Sequence, residues 1–207
     1  MSQATTTSQP VSPARSWQQR IRESRLGTVL VLAVTAALVT GGAYLVDRPT
    51  TAQPGVTAVK VAPGDGPAPK IGSPAQDFTA TTVDGKQVSL TSYKGHPVWL
   101  TFGASWCAAC VAEAPDLETS YQKFKAKGVV VLAISISEDS AAVQDYANRV
   151  GLTFPKVADP DSRIASVYRV YGIPAHFFID KAGILRSMKT GGLSPDQMDA
   201  ALTEISQ

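Results

Sequence analysis

The longest feature in the hydrophobic pattern is an uncharged run, Leu26 to Val46, reading LGTVLVLAVTAALVTGGAYLV. A helix needs roughly 20 apolar residues to cross a bilayer core. No polar face marks this run as the amphipathic helix of a soluble core, so it predicts a membrane anchor. From residue 71 onward the apolar positions come in short bursts. Phe78–Val83 and Lys86–Leu90 flank Asp84-Gly85, a hairpin signal. Val98–Phe102 is a short apolar strand. From Cys107 to about Lys127 the period turns helical, with Leu117, Tyr121 and Phe124 at helical spacing and Pro115 expected to kink it.

Val129–Ile136 is an unbroken apolar, β-branched run, as in a strand covered on both faces. Ser140–Val150 predicts a helix, Phe154–Val157 a strand and Asp161–Tyr168 a further helix. Ala175–Ile179 is a strand; Asp180–Gly183 turns the chain into Ile184–Lys189. Gly191-Gly192 then breaks it before a last helix with Ser194 as N-cap and Pro195 in its first position. Alternating strands and helices predict an α/β fold with a central mixed β-sheet and helices on both faces.

Between the anchor and this domain, residues 47–70 carry five prolines and three glycines, which reads as a semi-extended linker without a core. Residues 1–14 are rich in Ser, Thr, Gln and Pro and predict no structure. The organisation expected is therefore 1–25 basic tail, 26–46 signal anchor, 47–70 linker and 71–207 globular domain.

Charge orients the anchor. Arg15, Arg20, Arg22 and Arg25 precede the run, against Arg48 and Lys60 soon after it, which places the N-terminus in the cytoplasm and the domain outside. The alternative is a cleaved signal peptide, with Gly41 and Ala43 as the small residues before the cut. Both readings export the domain. The net charge of +2 over 207 residues comes from the tail: seven basic and three acidic residues lie before residue 71, twelve and fourteen after. That balance gives no reason to expect nucleic acid as a partner.

The chain has two cysteines, Cys107 and Cys110, where an apolar strand gives way to a helix. Such a position favours sites in α/β sheets. Backbone N–H groups and the helix dipole there favour a thiolate at Cys107, and Cys110 lies within disulfide reach. A nucleophile with a resolving thiol is the expected arrangement. A purely structural disulfide closing four residues would stabilise little. A zinc site would need two further ligands, and His96 and His176 lie far apart in sequence.

Trp106-Cys-Ala-Ala-Cys110 after a strand, Pro115 eight residues beyond Cys107, and Gly172-Ile-Pro174 before a strand together resemble the thioredoxin fold. Gly72–Phe78, Asp84–Lys86, Lys94–Pro97, Asp159–Asp161 and Phe178–Gly183 narrow the resemblance to the membrane-anchored TlpA/ResA-like thiol-disulfide oxidoreductases. The resemblance covers nearly all of the domain from Ile71. It implies that Glu113, three residues after Cys110, relays protons to or from that thiol. It also implies a cis bond before Pro174 to receive substrate backbone, with Ile173 and Trp106 as docking residues. Thr101 stands where thioredoxin has a buried aspartate, and Ala108-Ala109 replaces the commoner Pro-containing pairs.

His176, two residues after Pro174, should share its strand face; a half-buried structural histidine is the plainer expectation for it. The resemblance implies no cofactor beyond the redox-active disulfide and no metal. It implies exported proteins with cysteine pairs as partners, a membrane electron donor, and a reducing role such as cytochrome c maturation. The alternatives are an oxidase that introduces disulfides, or a copper-handling chaperone using Cys107, Cys110 and His176. The peroxiredoxin pattern Pro-x-x-x-Thr-x-x-Cys is not present.

Overall fold

A computed structural model describes residues 25–46 and 55–207 of the chain. The basic tail up to residue 24 and the first part of the expected linker lie outside the described residues. The chain divides into two units, residues 1–50 and 51–207.

The first unit contains helix α1, Arg25–Val46. Thr35 and Thr40 donate their hydroxyls to the Val31 and Ala36 carbonyls at 2.8 and 2.7 Å, so these polar atoms are satisfied inside the helix. Side chains of α1 are described only over residues 27–41. Among the described residues no helix is long and apolar enough to cross a membrane. The structure thus gives a helix where the anchor is expected, but not a span.

The second unit is built on a five-stranded sheet. In chain order its strands are β4 (Val98–Gly103), β5 (Val130–Ile136), β6 (Lys156–Asp159), β8 (Ala175–Ile179) and β9 (Leu185–Thr190). Their spatial order is β6-β5-β4-β8-β9, with β4, β5 and β6 mutually parallel, β8 antiparallel to β4, and β9 antiparallel to β8. The sheet is mixed, as the alternating pattern predicts. Two small pairs flank it: β1 (Thr57–Ala58) with β7 (Gly172–Ile173), and β2 (Thr79–Thr81) with β3 (Gln87–Ser89). Helices are α2 (Ala108–Lys125), α3 (Ser140–Val150), α4 (Arg163–Val167) and α5 (Pro195–Ile205).

Each sheet face has its own core, as side chains alternating along strands require. Trp99, Val131 and Phe178 pack with Leu117, Tyr121 and Phe124 of α2 and with Met198, Leu202 and Ile205 of α5. On the opposite face Leu100, Phe102, Leu132, Ile134 and Phe177 meet Phe78, Leu90, Ile164 and Tyr168. Burial of both faces is why β5 reads as one continuous apolar run.

Local chemistry sets the ends. Ser194 and Gln197 form a capping box on α5, with Pro195 at its first position. Gly151 closes α3 at φ +76°, a left-handed cap that glycine adopts without strain. Helix α4 is shorter than the pattern predicts. The Asp159 carboxylate accepts from the amides of Arg163, Ile164 and Ala165, so the turn before them is pinned rather than helical.

The linker expectation needs correcting over its second half. Thr57 and Ala58 pair with β7, the Val59 amide donates to the Tyr171 carbonyl at 3.0 Å, and Val59 and Val61 pack on the core. Ser166 donates its hydroxyl to the Ala62 carbonyl at 2.6 Å. Strand pairing uses backbone groups, so composition hid it. The prolines at 54, 63, 67 and 69 bracket the segment and leave 57–61 free to pair.

Candidate active site

Strand β4 ends at Gly103, and Ala104–Trp106 carry the chain onto α2. Cys107 is the N-cap of that helix, in extended conformation, and the Cys110 amide donates to its Sγ at 3.2 Å. Sulfur thus fills the place an Asp or Ser oxygen usually holds. Cys107 and Cys110 form a disulfide, with Cα atoms 5.2 Å apart. Both are buried, Cys107 completely and Cys110 to 7% exposure. Trp106 beside them is half exposed. The β4–α2 loop is held from the neighbouring strand: Glu138, just past β5, accepts from the Ser105 amide at 3.0 Å and from its hydroxyl. Glu138 is itself buried. Nothing in the sequence pattern singles it out; its one signal is its place beyond the C-terminal end of a parallel strand.

Glu113 lies one turn beyond Cys110 on α2 and is buried. Its Oε2 accepts from the Leu193 amide at 3.1 Å. Burial pushes its carboxyl up from the usual 4.5 to about 7; the Leu193 hydrogen bond opposes the shift and the nearby Asp116 adds to it. A cavity of about 40 Å³ is lined by Thr101, Cys110, Glu113 and Tyr146, enough room for a proton-carrying water. The thiol position and the carboxyl share this cavity. Tyr146 donates to the Cys110 carbonyl at 3.4 Å, and burial pushes its phenol up to about 12.

His176 is fully buried, not half-buried as expected. Strand pairing sets it opposite Thr101, whose hydroxyl lies 3.2 Å from Nδ1. The Trp99 indole N–H donates to the same Nδ1 at 3.3 Å. Nε2 lies 3.4 Å from Glu113 Oε1, short of a formed hydrogen bond, and makes no well-formed bond elsewhere, although the Gly191 backbone also interacts with the ring. Desolvation holds the ring neutral, its pKa lowered to about 3. His176 therefore addresses Glu113 rather than joining the cysteines. Among the described residues no three His, Cys, Asp or Glu side chains converge on a metal-holding position.

The Ile173–Pro174 peptide bond is cis, the form implied by the resemblance. Sequence alone favours trans, since cis occurs in only about 5–6% of X–Pro bonds. Ile173 is fully buried within the same cluster as both cysteines. Its backbone edge pairs with β1, Thr57 opposite Ile173 and Ala58 opposite Gly172. Val56 packs so closely on Gly172 that a Cβ there would fall 2.7 Å from its Cγ1. The structure thus gathers Cys107, Cys110, Glu113, Thr101 and His176 around one sheet end, with the cis-Pro174 segment in the disulfide's cluster.

A thioredoxin-type sheet with a CxxC disulfide at a strand-to-helix junction defines a thiol-disulfide oxidoreductase. Residues 71–188 match the AhpC/TSA family, and the chain belongs to that family. It is similar to the thiol-disulfide oxidoreductase ResA of Geobacillus kaustophilus, 35% identical over 135 residues, which cover 65% of this chain and 78% of that protein. Among solved structures it resembles a thiol:disulfide interchange protein of Chlorobium tepidum, with TM-score 0.61 and 27% identity over 68% of this chain and all of that one. It also resembles the exposed lipoprotein thioredoxin Etrx1 of Streptococcus pneumoniae, with TM-score 0.54 and 31% identity over 62% of this chain and 99% of that one. The protein is a thiol-disulfide oxidoreductase of the ResA type whose redox group is the Cys107–Cys110 pair.

Proposed function

We propose that this protein is a membrane-anchored, extracytoplasmic reductant of cysteine pairs in other exported proteins, apocytochrome c among the candidate substrates. The observation that carries the direction is the setting of the disulfide. It lies in an apolar cluster with Ala104, Val170, Ile173 and Ala175, and no charged side chain belongs to that cluster. Strong oxidants of this class owe their high potential to a stabilised dithiol form. Here the helix start is the main feature favouring a Cys107 thiolate, and burial opposes it. A stable disulfide belongs to a good electron donor.

In the forward cycle the reduced Cys107 thiolate attacks a substrate disulfide and forms a mixed disulfide. Glu113 takes the Cys110 proton, and the Cys110 thiolate attacks Cys107 Sγ, releasing the substrate as a dithiol. Pro174 and Ile173 offer backbone to an extended substrate segment, and Trp106 offers exposed apolar surface. Electrons return from a membrane partner. The anchor is the charge-free stretch 26–46, helical in the structure, with its arginines on the N-terminal side. The name of the pneumococcal relative, an exposed lipoprotein, supports an address outside the cytoplasm.

The reduction potential of Cys107–Cys110 tests the direction. A value near the thioredoxin end, about −270 mV, supports the reductant; one near −120 mV overturns it in favour of a disulfide-introducing oxidase. Fractionation tests the address: the full chain should stay with membranes after an alkaline wash. A chain lacking residues 1–46 should be soluble.

A further inference from the structure

We propose that His176 is a positioning residue for proton transfer, its Nε2–H being the donor reserved for the Glu113 carboxylate in the state where that carboxylate is charged. This deepens the relay reading of Glu113 and rests on it.

The tautomer follows from chemistry. An indole N–H can only donate, so the Trp99 bond to Nδ1 makes Nδ1 an acceptor. The Thr101 hydroxyl, 3.2 Å away, donates to the same atom. The ring is neutral, so its one proton sits on Nε2. That N–H is completely buried, makes no well-formed hydrogen bond and faces Glu113 Oε1 at 3.4 Å, with the Gly191 backbone as its other polar neighbour. A buried donor left unmade is costly and calls for an explanation. A histidine that served packing alone would not need this donor aimed at a carboxyl group.

The redox cycle supplies the explanation. In the dithiol form Glu113 is a carboxylate, and the Nε2–H bond to it is charge-assisted and short. When a mixed disulfide resolves, Cys110 Sγ–H passes its proton to Glu113. The resulting thiolate attacks Cys107 Sγ; the Cys107–Cys110 bond forms and the bond to the substrate sulfur breaks. The substrate thiolate leaves, and two electrons have moved from the pair to the substrate disulfide. Glu113 is now neutral and its hold on Nε2–H loosens. The present structure is the oxidised form, and there the contact is loose.

Other groups also face Glu113. Asp116 on its own helix disfavours its charge. Tyr146 from α3 and Lys156 from β6 line the same cavity, as does Cys110. The segment before α5 presents the Leu193 amide, and β8 presents His176.

The chain has two histidines, so nitrogen-15 histidine labelling of the full chain in detergent gives two ring signals, and the buried His176 N–H is told from exposed His96 by its slow exchange with water. In the dithiol form its Nε2–H resonance should move with a single inflection as pH rises while the ring stays neutral, and Glu113→Gln should abolish the inflection. An inflection surviving in Glu113→Gln, or none in the native chain, overturns the proposal. This titration needs no substrate, so it decides even if the pair exchanges no disulfides. Kinetically, His176→Leu should raise the pH midpoint of mixed-disulfide resolution by about one to two units, the effect of losing one hydrogen bond to a charged group. His176→Gln, which keeps a donor, should restore most of it. In a Glu113→Gln background His176→Leu should leave the pH profile unchanged; a shift there assigns His176 a packing role only. Where His176→Leu fails to fold, the resonance titration of the native chain decides.

Discussion

Thr57 pairs antiparallel with Ile173, one residue from the cis bond at Pro174. The edge proposed to receive substrate backbone is thus occupied by the chain's own residues, and Cys107 is buried beside it. For an extended substrate to add to β7 as proposed, β1 would have to give way, since one strand edge accepts one partner.

Loosening β1 should therefore speed exchange. Val56 seats this strand against Gly172 and Gly191. Val56→Asp places a charge in that contact and costs the fold about 1–2 kcal/mol of apolar burial. If opening of β1 limits access by a similar amount, alkylation of the reduced Cys107 should accelerate about tenfold. Equal alkylation rates in the variant and the native chain would show that β1 is no barrier.

Serine substitutions separate the roles of the two cysteines. Cys110→Ser should accumulate mixed disulfides through Cys107, because no thiol remains to resolve them. Cys107→Ser should accumulate none. Non-reducing gels after incubation with a disulfide-bonded protein read the result, and the reverse pattern would exchange the two roles.

Much of this arrangement is legible in the sequence. The strand-to-helix position of the cysteines, the spacing of Glu113 and the continuous apolar β5 are carried by local pattern. Three features are not. Pairing of β1 with β7 joins residues more than a hundred positions apart through backbone groups that leave no side-chain signature. The Glu138 hold on Ser105 is likewise long-range and polar. Full burial of His176 depends on α2 and the segment before α5 closing over β8, and a lone histidine in an apolar strand reads the same whether or not that happens.

Glu138→Ala tests the loop anchor. It leaves the Ser105 amide without its carboxylate partner, a loss of about 2–3 kcal/mol. For a domain of this size that should lower the melting temperature by about 5–10 °C. Glu138→Gln keeps an acceptor and should lose less. Calorimetry of the oxidised forms measures both, and native-like melting of the alanine variant would remove Glu138 from the account of the site.

Glu113 ties stability to pH with a definite sign. Its carboxyl titrates at about 7 in the folded chain and near 4.5 when unfolded. Below 4.5 it is protonated in both states and carries no penalty. As pH rises from 4.5 to 7 the unfolded chain ionises first, so stability is lost through this window and stays lost above it. The loss is about 3 kcal/mol. Glu113→Gln is neutral throughout. Its stability relative to the native chain should therefore climb by about that amount between pH 4 and pH 8 and then level off, as measured by urea unfolding of the oxidised proteins. A pH-independent difference would place the carboxyl at an ordinary pKa and withdraw its role as proton relay. The same substitution should slow mixed-disulfide resolution about a hundredfold, because Cys110 loses the base that accepts its proton. Greater stability at neutral pH together with slower resolution is the combination expected of a buried acid kept for catalysis.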